Sequence, residues 1–374
     1  FNEECRKIVL RYSEEWKSLV SRMGRWVDFN HTYRTMDLSF MESVWWVFSE
    51  LHKKNYIYKG FRVSLYCPRC ATPLSNFEIA MGNSYIDRED FAVYIKFPVK
   101  NEANTFFLAW TTTPWTLPAN TGLSVHPNFT YIAMRFADTG ETLIVAEARK
   151  DAVADGRAYE VVGSWKGSEL VGKYYEPLYS FFPVEGDGFR VVAGEHVTAE
   201  DGTGIVHTAP AFGEEDLQMG QQHGLPILQT VDDEGLMMPE CGPFAGKKIK
   251  DADPFVVEDL RARGLLWRDE KMTHSVPICW RCDTLLFYKS QPAWFVDVTK
   301  LKPLMQKTAE KIHWHPEHFK EGRFGRGLDT APDWNISRTR YWGSPLPVWE
   351  CSDCDKRTIV GSIEELKTLA RPES

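Results

Sequence analysis

The sequence predicts an α/β protein, with a barrel-like β core surrounded by helices. Residues 1 to 60 carry apolar residues at helical spacing, whereas residues 62 to 250 break into short β-prone runs divided by Gly, Pro, Asn and Asp. Beyond residue 290 the texture changes again, to a helix around Lys302 to Lys311 and then a segment dense in Trp, Arg and Pro. At roughly 150 residues per domain, a chain of 374 residues is expected to form two or three regions.

In the first region Tyr12, Trp16, Leu19, Val20 and Met23 form one stripe, and Phe40, Val44, Trp45, Phe48 and Leu51 form a second. Ser39 with Glu42 three residues on fits a capping box at the start of the second helix. The β-prone runs are Phe91 to Phe97, Thr105 to Trp110, Thr130 to Phe136, Thr142 to Val145 and Gly204 to His207. Many short strands with few long helices suggest a barrel-like core. No internal repeat or low-complexity tract interrupts it.

Hydrophobic content of 43% and the lack of an apolar run near 18 residues exclude a membrane-spanning reading. Phe1 opens helix-like sequence with no signal-peptide pattern, as expected of a segment cut from a longer chain. The net charge of -8 supplies no global field for a polyanion, so any nucleic acid must be held by local basic groups. Lys247, Lys248, Arg261 and Arg263 are candidates, with solvated surface charge as the plainer reading.

Six of the eight cysteines fall in three C-x-x-C pairs, a pattern of metal ligation in a reducing, cytoplasmic compartment. Cys67 and Cys70 with Cys279 and Cys282 have the knuckle spacing of a four-thiolate zinc site that would brace both ends of the β region. Cys351 and Cys354 form a third half-site without a fourth pair.

Two strings carry the candidate chemistry. In WTTTPWTLPAN, Trp110 to Asn120, strand alternation puts Thr111 and Thr113 on one face and Thr112 on the other, and Pro114 ends the ladder because it has no N–H. In GTGIVHTAPAFGEED, Gly202 to Asp216, turns flank a short strand bearing His207, and Glu214, Glu215 and Asp216 open a helix. On the residues alone these also read as a proline-terminated strand, a half-buried satisfied histidine and a carboxylate at a positive helix end.

Together the strings resemble the editing insertion of class I aminoacyl-tRNA synthetases for branched aliphatic amino acids, and within them the isoleucine-specific family. Leucine and valine relatives usually carry Arg where Thr113 stands, and an acidic residue with Thr where this chain has Trp115-Thr116. The resemblance extends to Pro73 through Glu78, Gln291 through Phe295, and Asp333 through Gly343, hence nearly the whole chain. Asn335 departs from it, standing where relatives often have Cys.

The resemblance implies that Thr111, Thr112, Thr113 and Thr116 position an aminoacyl ester and an attacking water. Trp115 and His207 would shape the side-chain slot, Asn120 would support it, and Asp216 would hold the substrate ammonium. That last role has its own warrant, because a carboxylate is the natural partner of a cation beside the scissile bond. The implied activity is hydrolysis of valine from isoleucine tRNA, held by its 3' end. One methylene discriminates by only about 1–3 kcal/mol, isoleucine against valine being an established instance of that limit.

The implied organisation is a helical connector with half the zinc site over 1–84, an editing domain over 85–270, and over 271–374 the second zinc half followed by pieces of a parallel-sheet catalytic domain. No H-x-G-H motif occurs, and Lys271 to Ser275 only mimics the second ATP signature. ATP and magnesium are therefore expected only with the intact parent ligase. A monomer is expected. Three rivals remain: a zinc-stabilised tRNA-binding module without activity, the editing domain of a valine or leucine homologue, and a free-standing editing factor.

Overall fold

Side-chain parity organises the central sheet. In the strand Thr105–Thr111, Phe107 and Ala109 enter one core while Phe106, Leu108 and Trp110 face another. Thr130–Phe136 divides in the same way, with Tyr131 and Ala133 opposite Ile132, Met134 and Phe136. In Thr142–Ala146, Ile144 and Ala146 oppose Leu143 and Val145. A sheet covered on both faces needs apolar residues at consecutive positions, which explains why these runs do not alternate cleanly with polar ones.

The computed structural model describes residues 1–80, 84–184, 186–339, 341–354 and 356–370. It divides into two units, Arg62–Gln291 and a second formed by Phe1–Phe61 with Pro292–Ser374. In the first, nine strands form a mixed, curled half-barrel sheet. Its main path runs Tyr159–Lys166, Thr130–Phe136, Thr142–Ala146, Thr105–Thr111, Ile205–Thr208, Gly122–Val125 and Arg190–Ala193. Tyr85–Pro98 joins Thr105–Thr111 antiparallel and pairs along its length with Leu266–Pro277.

The strand Thr105–Thr111 pairs in parallel with Thr142–Ala146 at its start, Phe106 opposite Leu143, and with Ile205–Thr208 at its end, Trp110 opposite Val206. The threonine run and His207 are thereby brought onto neighbouring strands. Just before the His207 strand, Gly204 packs closely on Ala146 at the end of Thr142–Ala146: its φ is +73°, and a Cβ there would lie 2.4 Å from Cβ of Ala146.

The second unit departs from expectation at several points. The helix Asn2–Arg22 buries none of its residues, and Trp16 stays 64% exposed, so the first stripe packs no core here. The helix Leu38–Lys53 does bury Trp45 and Phe48, but Asp37 is its N-cap residue. The Ser39–Glu42 capping box is absent because both residues lie inside the helix, where the Glu42 carboxylate accepts the N–H of Ile363 at 2.9 Å. A capping box forms at Ser75 and Glu78 instead. The helix expected around Lys302 runs Val298–Ala309, with Asp297 accepting from the N–H of Lys300.

In the part of this unit after Gln291, Asn335 pairs antiparallel with Phe295, and Val348–Glu350 antiparallel with Arg357–Ile359. Six residues join the latter two strands, too few for a parallel crossover.

Candidate active site

Two residues, Thr112 and Thr113, separate the end of the strand Thr105–Thr111 from Pro114, which begins a short 3-10 turn, Pro114–Ala119. Proline suits a first helical position, where its missing N–H would have no partner anyway. The turn folds Thr113 and Thr116 back beside Thr111. Thr111 Oγ1 lies 3.1 Å from Thr113 Oγ1, and Thr113 Oγ1 lies 3.3 Å from Thr116 Oγ1. Thr111 also accepts the N–H of Thr113 at 3.1 Å.

His207 is 6% exposed and bonded at both ring nitrogens, Nε2 to Thr116 Oγ1 and Nδ1 to Asn120 Nδ2, each at 2.9 Å. Two neighbours decide its tautomer. Asn120 Nδ2 also donates to the carbonyl of Gly122 at 2.9 Å, so the amide presents N–H to Nδ1, which must accept. Thr116 spends its one hydroxyl proton on the carbonyl of Thr113 at 2.8 Å, so it must accept from Nε2–H. Burial lowers the His207 pKa to about 3, keeping the ring neutral. Neither nitrogen has a lone pair free to take a proton from a ligand.

The helix Glu214–His223 supplies the carboxylate. Asp216 sits in its first turn, and Oδ2 accepts the N–H of Ala209 at 3.0 Å. Gly213 leaves room for it, since a Cβ there would come within 3.0 Å of the Asp216 carboxyl. Burial, assisted by the charge of Glu215, raises Asp216 to about 6 against the opposing Ala209 hydrogen bond.

These groups border one cleft of about 330 Å³. Thr111, Thr113, Thr116 and His207 line one part, Asp216 with Glu214 and Glu215 another, and Val206, Phe212, Gly213 and Tyr288 complete it. Thr112 is not among the lining residues. Trp115 turns its ring into the core, edge-on to Phe212 and Phe287 at centroid distances of 5.0 and 5.8 Å. Phe212 reaches the cleft in its place. Asn120 is buried behind His207 and reaches the cleft only through it.

Reasoning from sequence missed three neighbours. Asp253 accepts the N–H of Trp115, Tyr175 donates to Asn120, and Tyr288 lines the cleft. Asp253 stands in the first turns of a helix and resembles a dipole partner, and neither tyrosine sits in a motif.

The four expected metal-ligating cysteines converge, their Sγ atoms all within 4.8 Å of one another. Cys282 Sγ lies 3.5 Å from that of Cys67 and 3.6 Å from that of Cys70. A tetrahedral zinc with bonds of about 2.3 Å separates its sulfurs by about 3.8 Å, so the cluster fits such an ion. Leu65, Leu74 and Leu286 shield it. Cys351 and Cys354 are exposed and join no such cluster among the described residues. Arg261 and Arg263 are engaged with Glu258, Asp269 and Asp259, and Lys247 lies 3.9 Å over the ring of Phe255.

The family model for tRNA synthetases class I (I, L, M and V) matches residues 1–373. The chain belongs to this family. The isoleucine–tRNA ligase of Clostridium tetani is 45% identical over 367 residues, and that of Chlamydia trachomatis serovar D is 46% identical over 373. The cytoplasmic isoleucine–tRNA ligase of Arabidopsis thaliana is 43% identical over 407. The matches take in 98%, 99% and 99% of this chain but 35%, 36% and 34% of the relatives. This class I chain therefore spans about a third of their length. Among solved structures, GlLeuRS-CP1 is 17% identical, with a TM-score of 0.39 over 47% of this chain and 97% of its own. The editing domain of P. knowlesi cytosolic leucyl-tRNA synthetase is 14% identical, with a TM-score of 0.39 over 54% of this chain and 100% of its own. Among the described residues no helix is long and apolar enough to cross a membrane.

Proposed function

We propose that the cleft hydrolyses the ester of valine mischarged onto isoleucine tRNA, within a protein that ligates isoleucine to that tRNA with ATP and magnesium. The observation that carries this reading is the meeting of Asp216 with a cluster of threonine hydroxyls in one small cleft. An aminoacyl ester presents an ammonium next to its carbonyl. Ionised Asp216 takes the ammonium through Oδ1, and Glu214 and Glu215 add negative potential around it.

With the ammonium fixed, Thr111 and Thr113 supply hydroxyls that hold the carbonyl oxygen and the attacking water. Water adds to the carbonyl carbon, and the terminal ribose hydroxyl leaves with the proton while valine departs as the acid. His207 acts as a fixed donor and wall. Oriented water and an already activated ester gain from proximity, so a dedicated nucleophile is dispensable. Thr112 and Trp115 support the turn from outside the cleft.

Zinc on Cys67, Cys70, Cys279 and Cys282 would tie together the segments that lead into and out of the β region, a structural role. The editing assignment is tested by deacylation of Val-tRNA(Ile) and Ile-tRNA(Ile) with this chain at low salt, where electrostatic binding is strongest. Selective loss of valine is expected. No hydrolysis by the folded chain, alone or within the full-length enzyme, overturns the assignment.

A further inference from the structure

Tyr175 belongs to none of the cleft-lining residues, yet its hydroxyl ends the hydrogen-bond chain that leads into the cleft. It is fully buried, edge-on to Phe97 at 5.4 Å and to Phe189 at 6.2 Å. Its N–H donates to the carbonyl of Phe189 at 2.9 Å, which holds the ring's backbone in place. The hydroxyl lies 2.6 Å from Oδ1 of Asn120. Burial raises the phenol pKa far above its ordinary value, so the group remains an O–H donor.

We propose that Tyr175 is a positioning residue of the cleft, acting through the Asn120 amide to hold His207 as its Nε2–H tautomer. The geometry runs in one direction. Tyr175 donates to Asn120 Oδ1, Asn120 Nδ2 donates to His207 Nδ1, Nε2–H donates to Thr116 Oγ1, and Thr116 donates to the carbonyl of Thr113. The amide has two anchors, Tyr175 on its oxygen and the carbonyl of Gly122 on its nitrogen. Without Tyr175 the buried Oδ1 loses its donor and the amide keeps one anchor, the carbonyl of Gly122, so reversal, in which Oδ1 accepts from Nδ1–H of His207 at the cost of that remaining bond, is no longer opposed from both sides. Nε2 would then draw the Thr116 proton away from the Thr113 carbonyl. The cluster of hydroxyls that faces the ester would be rearranged without any cleft residue having been changed.

The effect on rate rests on the proposed editing reaction, whereas the tautomer does not, so the two are separable. The test is ¹⁵N NMR of the histidine rings in the whole 374-residue chain, wild type and Tyr175→Phe, alongside Val-tRNA(Ile) deacylation. Wild type is expected to show His207 only as Nε2–H. Tyr175→Phe is expected to populate Nδ1–H and to lower kcat by about tenfold with KM little changed, the equivalent of one hydrogen bond. Unaltered tautomer in a folded Tyr175→Phe variant overturns the proposal. If that variant does not fold, Asn120→Asp tests the link from Asn120 to His207 through which Tyr175 acts, since an ionised carboxylate can only accept and must draw the proton to Nδ1. His207 remaining Nε2–H in Asn120→Asp overturns the proposal equally. Loss of deacylation in all forms, with the tautomer shift present, would count against the editing assignment and leave the role of Tyr175 standing.

Discussion

The carboxylate of Asp253 accepts the backbone N–H of Trp115 at 2.8 Å, joining the helix Ile249–Ala262 to the turn that carries Thr113 and Thr116. Lys250, 3.6 Å away, offsets part of the charge but is itself 2.9 Å from Asp90, which also meets Arg88 and His274. Burial raises Asp253 to about 7, the attraction of Lys250 notwithstanding.

A raised carboxyl pKa means that the folded protein retains a proton that the unfolded chain releases. Stability from this group is complete below the unfolded value, near 4, and is lost as pH rises through about 7. Asp253→Asn keeps an acceptor for Trp115 N–H without the charge. It should stabilise the fold by on the order of 2 kcal/mol at pH 8, with little change at pH 4. Urea unfolding of both proteins across this range decides it; a difference that does not vary with pH would remove Asp253 as the source.

Asp216 must be ionised to hold an ammonium, and its pKa lies at about 6. For Val-tRNA(Ile), kcat/KM should therefore be level above pH 7 and fall about tenfold per unit below pH 6. Asp216→Ala should abolish clearance, and Asp216→Asn should lose about 10- to 100-fold while keeping an acceptor for Ala209. Normal hydrolysis by either folded variant would take Asp216 out of the reaction.

His207→Ala should enlarge the cleft and admit isoleucine, so that correctly charged Ile-tRNA(Ile) is hydrolysed. It also strips Thr116 and Asn120 of a buried partner, with an expected loss of about 1–3 kcal/mol in stability. The ratio of isoleucine to valine release is the measurement. Continued rejection of isoleucine would place the size limit on another wall, with Phe212 and Val206 the nearest candidates.

Metal analysis should find one zinc per chain, and Cys279→Ser should release it and lower the melting temperature, because binding to the folded state alone adds to stability. A metal-free protein with an unchanged melting temperature on chelation would show the four thiols to be structurally self-sufficient.

Some strand positions were legible because they follow from local spacing, whereas the run Phe91 to Phe97 extends to Tyr85–Pro98 and Gly122–Val125, Tyr159–Lys166, Arg190–Ala193 and Leu266–Pro277 went unread. Thr130–Phe136 matches the β-prone run, Thr105–Thr111 runs one residue past its own, and Ile205–Thr208 is shifted by one residue at both ends. The helix beginning at Glu214 was readable from its acidic first turn. The Ser39–Glu42 pairing failed for a local reason as well: its spacing is right, but Asp37 starts the helix and a remote N–H claims Glu42.

Strand parity, proline and the C-x-x-C spacing are short-range properties, and the sequence by itself determined them: Thr111 on the same face as Thr113, a turn at Pro114, and paired thiols suited to one ion. Which hydroxyls, rings and carboxylates meet was decided by the tertiary structure. Trp115 went to the core with Phe212 and Phe287 because its large apolar ring is better buried, leaving Phe212 to line the cleft. Asp253 and Tyr175 lie 138 and 55 residues from the groups they hold. No local pattern records such a contact, because it exists only where buried donors and acceptors must find partners across the closed core.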